Sequence, residues 1–424
     1  MRNEEGNKFT DTYYATRDEI ERTYNTTNVT DILRRVKDYR SYYDYETPLR
    51  TYSDSFYSIC LTRSLLAKAY ALERKLVLDE RFFFSLKQAD QSLLTKDYKL
   101  SALIATSRNS GLKPHEATLR KIVDNSLSAI PQNLFIIDAY SAAFDKFQKV
   151  EEISLSTIYS INKTLILDDE TAPVKLRTSL IENLNNPLKQ AEPDKVPHLL
   201  QSLLDTLKDE EIPLLLRALI IIYFFTACRP FEFSNEETSA ILAKSFLASN
   251  GVRLAYLLDF ESLAFSKSDL VFKRLVACQD NDDLTYACFS FLPYLINQEE
   301  ALHNKLLSIK NNPTTTEETI KQDGNVTGER ALPIFPLSID QEEAKETADK
   351  LMKIYPALKR KQAHFYSTHC TIGLYYTVND FKEYEKTVYE TARTSMDDLA
   401  NKGFYKKSKL NNKFIYSPIP IKEV

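Results

Sequence analysis

The chain has 424 residues, a formal net charge of −4, seven glycines and no tryptophan. That length holds two or three domains with room for sizeable cores. The charge excludes a general polycation, so any nucleic-acid contact has to be a local patch, and so little glycine argues against a fold of strands joined by tight turns.

Residues 1–30 are polar and rich in Thr and Asn, which predicts an irregular lead-in. An N-terminal helical region follows over 31–93. Its first stretch, Asp31 to Tyr45, sets Tyr39, Tyr42, Tyr43 and Tyr45 beside Arg34, Arg35, Lys37 and Arg40. Such a pattern serves either for stacking on nucleic acid or for tyrosines packed along an amphipathic helix, and the second use is the commoner. Helical periodicity then covers Ser55 to Leu78, Asp79 to Leu94, Tyr98 to Ser107, Leu134 to Gln148, Ser154 to Leu165 and Val196 to Leu207. An apolar helix over Leu214 to Thr226 leads into Arg229-Pro230-Phe231-Glu232-Phe233-Ser234-Asn235-Glu236-Glu237, and a second helix spans Thr238 to Asn250, ended by Gly251. Two more stretches, Lys267 to Ala277 and Asp283 to Ser308, complete a helical core over 94–309. Residues 310–343, with Pro313, Gly324, Gly328, Pro333 and Pro336, read as a linker.

Three motifs carry chemistry. The loop from Arg229 to Glu237 matches, at Pro230, Phe231 and Asn235, the pattern His-Pro-Phe-x-Asp/Glu-Gly-Asn-Gly-Arg. Upstream, Ala105-Thr106-Ser107-Arg108-Asn109-Ser110-Gly111 is similar to Ser-Ser-x-Ile-Glu-Gly, and Pro173-Val174-Lys175-Leu176-Arg177-Thr178 to Pro-Gly-x-Tyr/Phe-Arg. In this order they resemble the inhibitory helix, flap opening and active loop of the Fic/Doc (Fido) family. The resemblance implies a mainly α Fic-fold bundle with a short β-hairpin flap near Ser179 to Ala191. It also implies a nucleotide site in which a His deprotonates a target hydroxyl and an acidic residue holds Mg²⁺ on the α and β phosphates of ATP.

The residues that would do that work have been exchanged. Arg229 stands at the His position, and a guanidinium stays protonated at working pH. Phe233 stands at the carboxylate position and offers Mg²⁺ no oxygen. Ser234 and Glu236 replace glycines, which predicts a loss of positive-φ freedom. Ser234 and Glu237 have the spacing of a capping box, and Glu236 and Glu237 put negative charge where phosphates would sit. Ser110 occupies the inhibitory Glu position and Ala240 that of the second motif arginine, so both ends of that lock are missing.

The C-terminal unit, 344–424, resembles a winged helix-turn-helix: one helix opening with Tyr376 to Phe381, a second from Lys386 to Leu399, and a hairpin from Tyr405 to Tyr416. If it binds DNA, Arg393, Thr394 and Ser395 face bases and Lys406, Lys407, Lys409 and Lys413 face phosphates; Glu390, Asp397 and Asp398 oppose that. His115, His198, His303, His364 and His369 are dispersed, and His364, His369 and Cys370 lack the spacing of a metal set, so no metal site is expected. Five cysteines without CxxC spacing, an opening Met1-Arg2-Asn3-Glu4-Glu5 without an apolar segment, and a longest apolar run interrupted by Arg217 predict a soluble, cytoplasmic protein without membrane contact.

The reading is a catalytically inactive Fic-fold protein that binds a protein partner and needs no cofactor, with a homodimer left open. Its alternatives are a Fic-type AMP transferase with a rewired loop, using ATP and Mg²⁺, and a DNA-binding transcriptional regulator.

Overall fold

The longest apolar run of the sequence becomes the centre of the larger of two compact units, Met1–Gly328 and Glu329–Val424. The computed structural model describes residues 4–23, 29–127, 129–167, 175–181, 186–266, 268–311, 341–370, 376–410 and 413–418. In the first unit the elements are α1 (Glu4–Asn7), α2 (Arg17–Thr23), α3 (Val29–Arg40), the strands β1 (Asp44–Arg50) and β2 (Phe56–Cys60), α4 (Arg63–Ser85), α5 (Gln88–Asn109), α6 (Glu116–Val123) and α7 (Phe135–Lys146). They continue with α8 (Leu155–Leu165), α9 (Val196–Leu207), α10 (Leu214–Cys228), α11 (Asn235–Ser249), α12 (Phe260–Ala264), α13 (Asp269–Asp280) and α14 (Thr285–Asn311). The second unit holds α15 (Gln341–Ile354), α16 (Arg360–Thr368), α17 (Val378–Tyr384), α18 (Tyr389–Asn401) and the strands β3 (Tyr405–Leu410) and β4 (Lys413–Pro418). The chain is thus mainly α, with two two-stranded antiparallel sheets among the described residues.

Helix α10 is buried at every position except Leu214, Thr226 and Ala227, and α11 from Glu237 through Leu247. A helix apolar all round is stable only when neighbours cover every side; α4, α9, α11 and α14 do so for α10, and α7, α8 and α12 also pack on α11. Inside this core α11 carries one ion pair, Lys244 Nζ to Glu261 Oε1 at 2.7 Å, with Tyr140 donating to the same oxygen at 2.5 Å. Among the described residues no helix is long and apolar enough to cross a membrane.

Three expectations are corrected. The described part of the N-terminal segment is not an irregular lead-in: it buries Phe9, Tyr14, Ala15 and Ile20. Arg40 holds it, donating Nη2 to the carbonyls of Phe9 (2.8 Å) and Ala15 (2.7 Å) while its guanidinium lies 3.8 Å from the centre of the Tyr14 ring. The basic stretch after it is helical only to Arg40, and Arg34 and Arg35 pair with Asp31 at 2.7 and 3.3 Å on its exposed face. The helix expected from Ser55 starts at Arg63, capped by Thr62 accepting from Leu65 N at 3.1 Å. Its presumed first turn, Phe56 to Cys60, is β2, which pairs with β1 from Asp44↔Cys60 to Arg50↔Phe56. Aromatic and β-branched residues in so short a run favour the pleat over the helix. Helix α4 also runs without a break through the expected boundary at Asp79.

In the second unit Leu351, Phe365, Phe381, Met396, Leu399, Tyr405 and Tyr416 form a core of their own. Thr377 caps α17 with a full capping box, and Tyr376 bridges to Tyr416 of β4, so a third short segment lies against the hairpin. Of the expected linker, 312–340 lie outside the described residues.

Replacing Lys244 by Met leaves Glu261 as an uncompensated buried charge and should cost about 3–5 kcal/mol in urea unfolding followed by circular dichroism. The double variant Lys244→Met/Glu261→Leu should recover most of that loss.

Candidate functional site

The loop between α10 and α11 is closed by a side chain on its own far end. Asn235, wholly buried, accepts from the N–H of Phe231 at 3.0 Å and donates to the carbonyl of Phe231 at 2.8 Å. Phe231 is buried with Pro230, its ring 6.2 Å from that of Tyr159 and 6.3 Å from that of Phe225. From α8, Asn162 donates to the carbonyl of Phe233 (3.0 Å) and to Thr238 Oγ1 (3.2 Å). The Phe233 ring itself is 68% exposed.

Arg177, 2% exposed, holds the loop from the other side. Its Nε donates to the carbonyl of Arg229 at 2.9 Å, Nη2 to Cys228 at 3.3 Å and to Ala191, and Nη1 to Ser179 at 3.2 Å. Its own N–H donates to the carbonyl of Pro230 at 3.0 Å, and Leu176 forms an antiparallel bridge with Phe231. Leu176 and Arg177, expected to open the flap, therefore lie along the loop. The described residues of the expected hairpin flap contain no paired strands, however; Gln190 links the two arms by accepting from Ile181 N (3.0 Å) and donating to Ile181 O (2.9 Å). Pro173 and Val174 lie outside the described residues. Beneath the loop, burial pushes the Cys228 thiol up to about 12, although the nearby Arg177 charge pulls the other way.

Two charges of the loop are paired with each other. Arg229 Nη1 lies 2.5 Å from Glu236 Oε1 and Nη2 3.4 Å from Oε2, with side chains only 14% and 22% exposed. Glu237 is buried and accepts from Asn109 Nδ2 at 3.0 Å; burial and the neighbouring Glu236 raise its pKa. So the end of α5 does meet the start of α11, through Asn109. Ser107 instead donates to Leu103 O at 2.7 Å, and Ser110 Oγ has no partner among the described residues. Gly111, at φ 69°, ends α5: Leu112 N donates to Ser107 O and Gly111 N to Arg108 O, the paired bonds of a left-handed helix stop.

Two readings of Ser234 are overturned. It precedes α11 but makes no capping bond, and Glu237 has turned to Asn109, so there is no capping box. An N-cap oxygen reaches the first-turn N–H groups from an extended backbone, whereas Ser234 is left-handed at φ 57°, ψ 35°. That same conformation shows that a positive φ is reached at this position without a glycine. Arg229, at φ 45°, is left-handed too, and each such non-glycine residue costs roughly 1–2 kcal/mol.

In the second unit the proposed base-reading residues Arg393 and Thr394 contact Glu390 of their own helix, and the Ser395 backbone meets α16. Arg393 Nη1 lies 4.0 Å from Glu390 Oε2, Thr394 donates to Glu390 O at 2.8 Å, and Ser395 O accepts from Gln362 at 3.2 Å. Lys407 is 2.5 Å from Asp397 and 4.1 Å from the centre of the Phe414 ring, while Lys406 is exposed. The side chains of Lys409 and Lys413 lie outside the described residues. His364 faces Glu385 at 2.7 Å, and His369 is stacked on Phe365 with burial lowering its pKa to about 4. A cluster that the sequence reading passed over is Asp79, Glu299 and His303; the four-residue spacing of Glu299 and His303 on a helix was its one visible sign.

No protein-family model and no curated protein matches the sequence. Among solved structures the chain is similar to a Fic family protein from Desulfovibrio desulfuricans G20, at 14% identity and a TM-score of 0.46, covering 85% of this chain and 96% of that one. It is also similar to Fic-1 from C. elegans, at 15% identity and a TM-score of 0.46 over 69% of this chain and 81% of that one. A Fic domain-containing signalling protein from Bacteroides thetaiotaomicron VPI-5482 is similar at 13% identity and a TM-score of 0.40, over 57% and 94%.

Two outcomes are expected from the loop. Ser234→Gly should raise stability by about 1 kcal/mol in urea unfolding, because the left-handed backbone is then unstrained. Glu237 has its pKa raised by folding, so its share of stability is full below the unfolded value of about 4.3 and is lost as pH rises through the folded one. Glu237→Gln should therefore be more stable than wild type at pH 7, by about 1 kcal/mol, with the two melting curves converging near pH 4.

Proposed function

We propose that this chain is a Fic-like helical protein that acts by binding a protein partner and does not transfer nucleotides. The observation that carries the reading is the Arg229–Glu236 ion pair, which occupies the one loop cation suited to phosphate. Three further features support it. The sequence 229–237 contains no histidine to serve as general base. Phe233 supplies no metal ligand and instead presents an exposed ring, the kind of side chain that anchors protein contacts. The start of α11 carries no basic side chain, only Glu236 held by Arg229 and Glu237 turned to Asn109, so nothing cationic beyond the helix end itself draws a polyphosphate there.

A transferase with a rewired loop needs one of Glu232, Glu236 and Glu237 as base. Glu236 is held by Arg229 and Glu237 by Asn109, which leaves exposed Glu232. We propose that the second unit is a winged-helix module used for protein contact: Arg393 and Lys407 face Glu390 and Asp397 of α18.

Wild-type protein incubated with ATP and Mg²⁺ should transfer no AMP to itself or to added protein, and ATP should not shift its melting temperature. Glu236→Gln, which releases Arg229, should acquire a salt-sensitive ATP shift without transfer. Mg²⁺-dependent AMP transfer by the wild type, lost in Glu232→Gln, would overturn the proposal.

A further inference from the structure

Helices α4 and α14 pack side by side, and each brings two polar residues one turn apart to their contact: Lys75 and Asp79 from α4, Glu299 and His303 from α14. Residues four apart share a helix face, so the four side chains converge. Asp79 is 4% and Glu299 2% exposed. One ligand atom from each of Asp79, Glu299 and His303 lies within 4.8 Å of the other two, and His303 Nδ1 is 2.7 Å from Asp79 Oδ1.

The second oxygen of Asp79 points to something missing from this set. Asp79 Oδ2 is shielded from water and has no hydrogen-bond partner among the described residues, although buried carboxylate oxygens are ordinarily paired or bound to a cation. The nearby ammonium, Lys75, sits 3.1 Å from Glu299 Oε2. It is 48% exposed, with Glu300 Oε1 at 3.9 Å on its outer side, so it can withdraw from Glu299 without losing either water or a counter-charge. His303 is 46% exposed and opens the cluster to solvent.

We propose that Asp79, Glu299 and His303 form a binding site for a divalent transition-metal ion, with Lys75 as the cation that the metal displaces from Glu299. One imidazole and two carboxylates suit a borderline ion such as Zn²⁺, whereas Mg²⁺ prefers an all-oxygen octahedron. The sequence reading had expected no metal; the site joins two helices distant in the chain and does not depend on the function proposed above.

The test is calorimetric titration of the full chain with zinc chloride, with magnesium chloride as the comparison. Saturable binding of one Zn²⁺ per chain is expected, abolished in His303→Ala, and tightened about tenfold or more in Lys75→Met, where the competing ammonium is gone. Circular dichroism checks that the half-exposed substitutions leave the fold intact. Absence of zinc binding in both the wild type and Lys75→Met would overturn the proposal, and so would binding unchanged in His303→Ala.

Discussion

A helix as apolar as α10 can lie in the middle of a protein only if the carbonyls at its end are met, because no further helical N–H reaches them. Arg177 meets them. One planar group with five donors gathers the carbonyls of Cys228, Arg229, Ser179 and Ala191, which fixes where α10 stops and where the 175–191 segment lies. With Arg229 held left-handed at that stop, the chain turns back at once, and Asn235 closes the turn on Phe231. The orientation of α11, and of the helices packed on it, follows from that closure.

The protein disposes of its buried charges in unlike ways. Lys244 and Glu261 are sealed together in the core, with Tyr140 adding a bond, an arrangement that fixes the register of α11 against α12. Arg229 and Glu236 are paired at the surface of the core and cancel the two charges that a ligand of either sign could have used. At Asp79 and Glu299 the balance is incomplete, with two carboxylates beside a half-exposed ammonium and imidazole. Closed pairs make structure, and an open one leaves room for a further ion.

Much of the helical architecture was legible because its periodicity is strong. The bounds of α9 are those read from the sequence, and α8, α10 and α11 differ from theirs by a residue or a few at the ends. The pairing of Arg229 with a local carboxylate was legible as well, since the loop offers Glu232 and Glu236 within easy reach. The β1–β2 hairpin was not: a five-residue apolar run such as Phe56 to Cys60 satisfies either period, and its pairing partner decides. The docking of the N-terminal segment escaped because its few buried aromatics are scattered among polar residues and are held by Arg40, outside the segment. Ser234 misled for a different reason. Its spacing to Glu237 is that of a cap, but the tertiary bonds from Asn235 and Asn162 fix a backbone in which no cap can form. Asp79 could not be joined to His303 by any local rule, since 224 residues separate them.

Cys228 lies at the last position of α10, immediately before the left-handed turn and under the loop that Arg177 clasps. Its thiol is buried and held protonated by that burial, so in the closed loop it is inert to alkylating reagents, which attack the thiolate. It becomes reactive only when this corner opens. The molecule thus carries a native chemical clock at its candidate site, and the rate at which Cys228 is labelled registers how often the loop leaves the conformation described here.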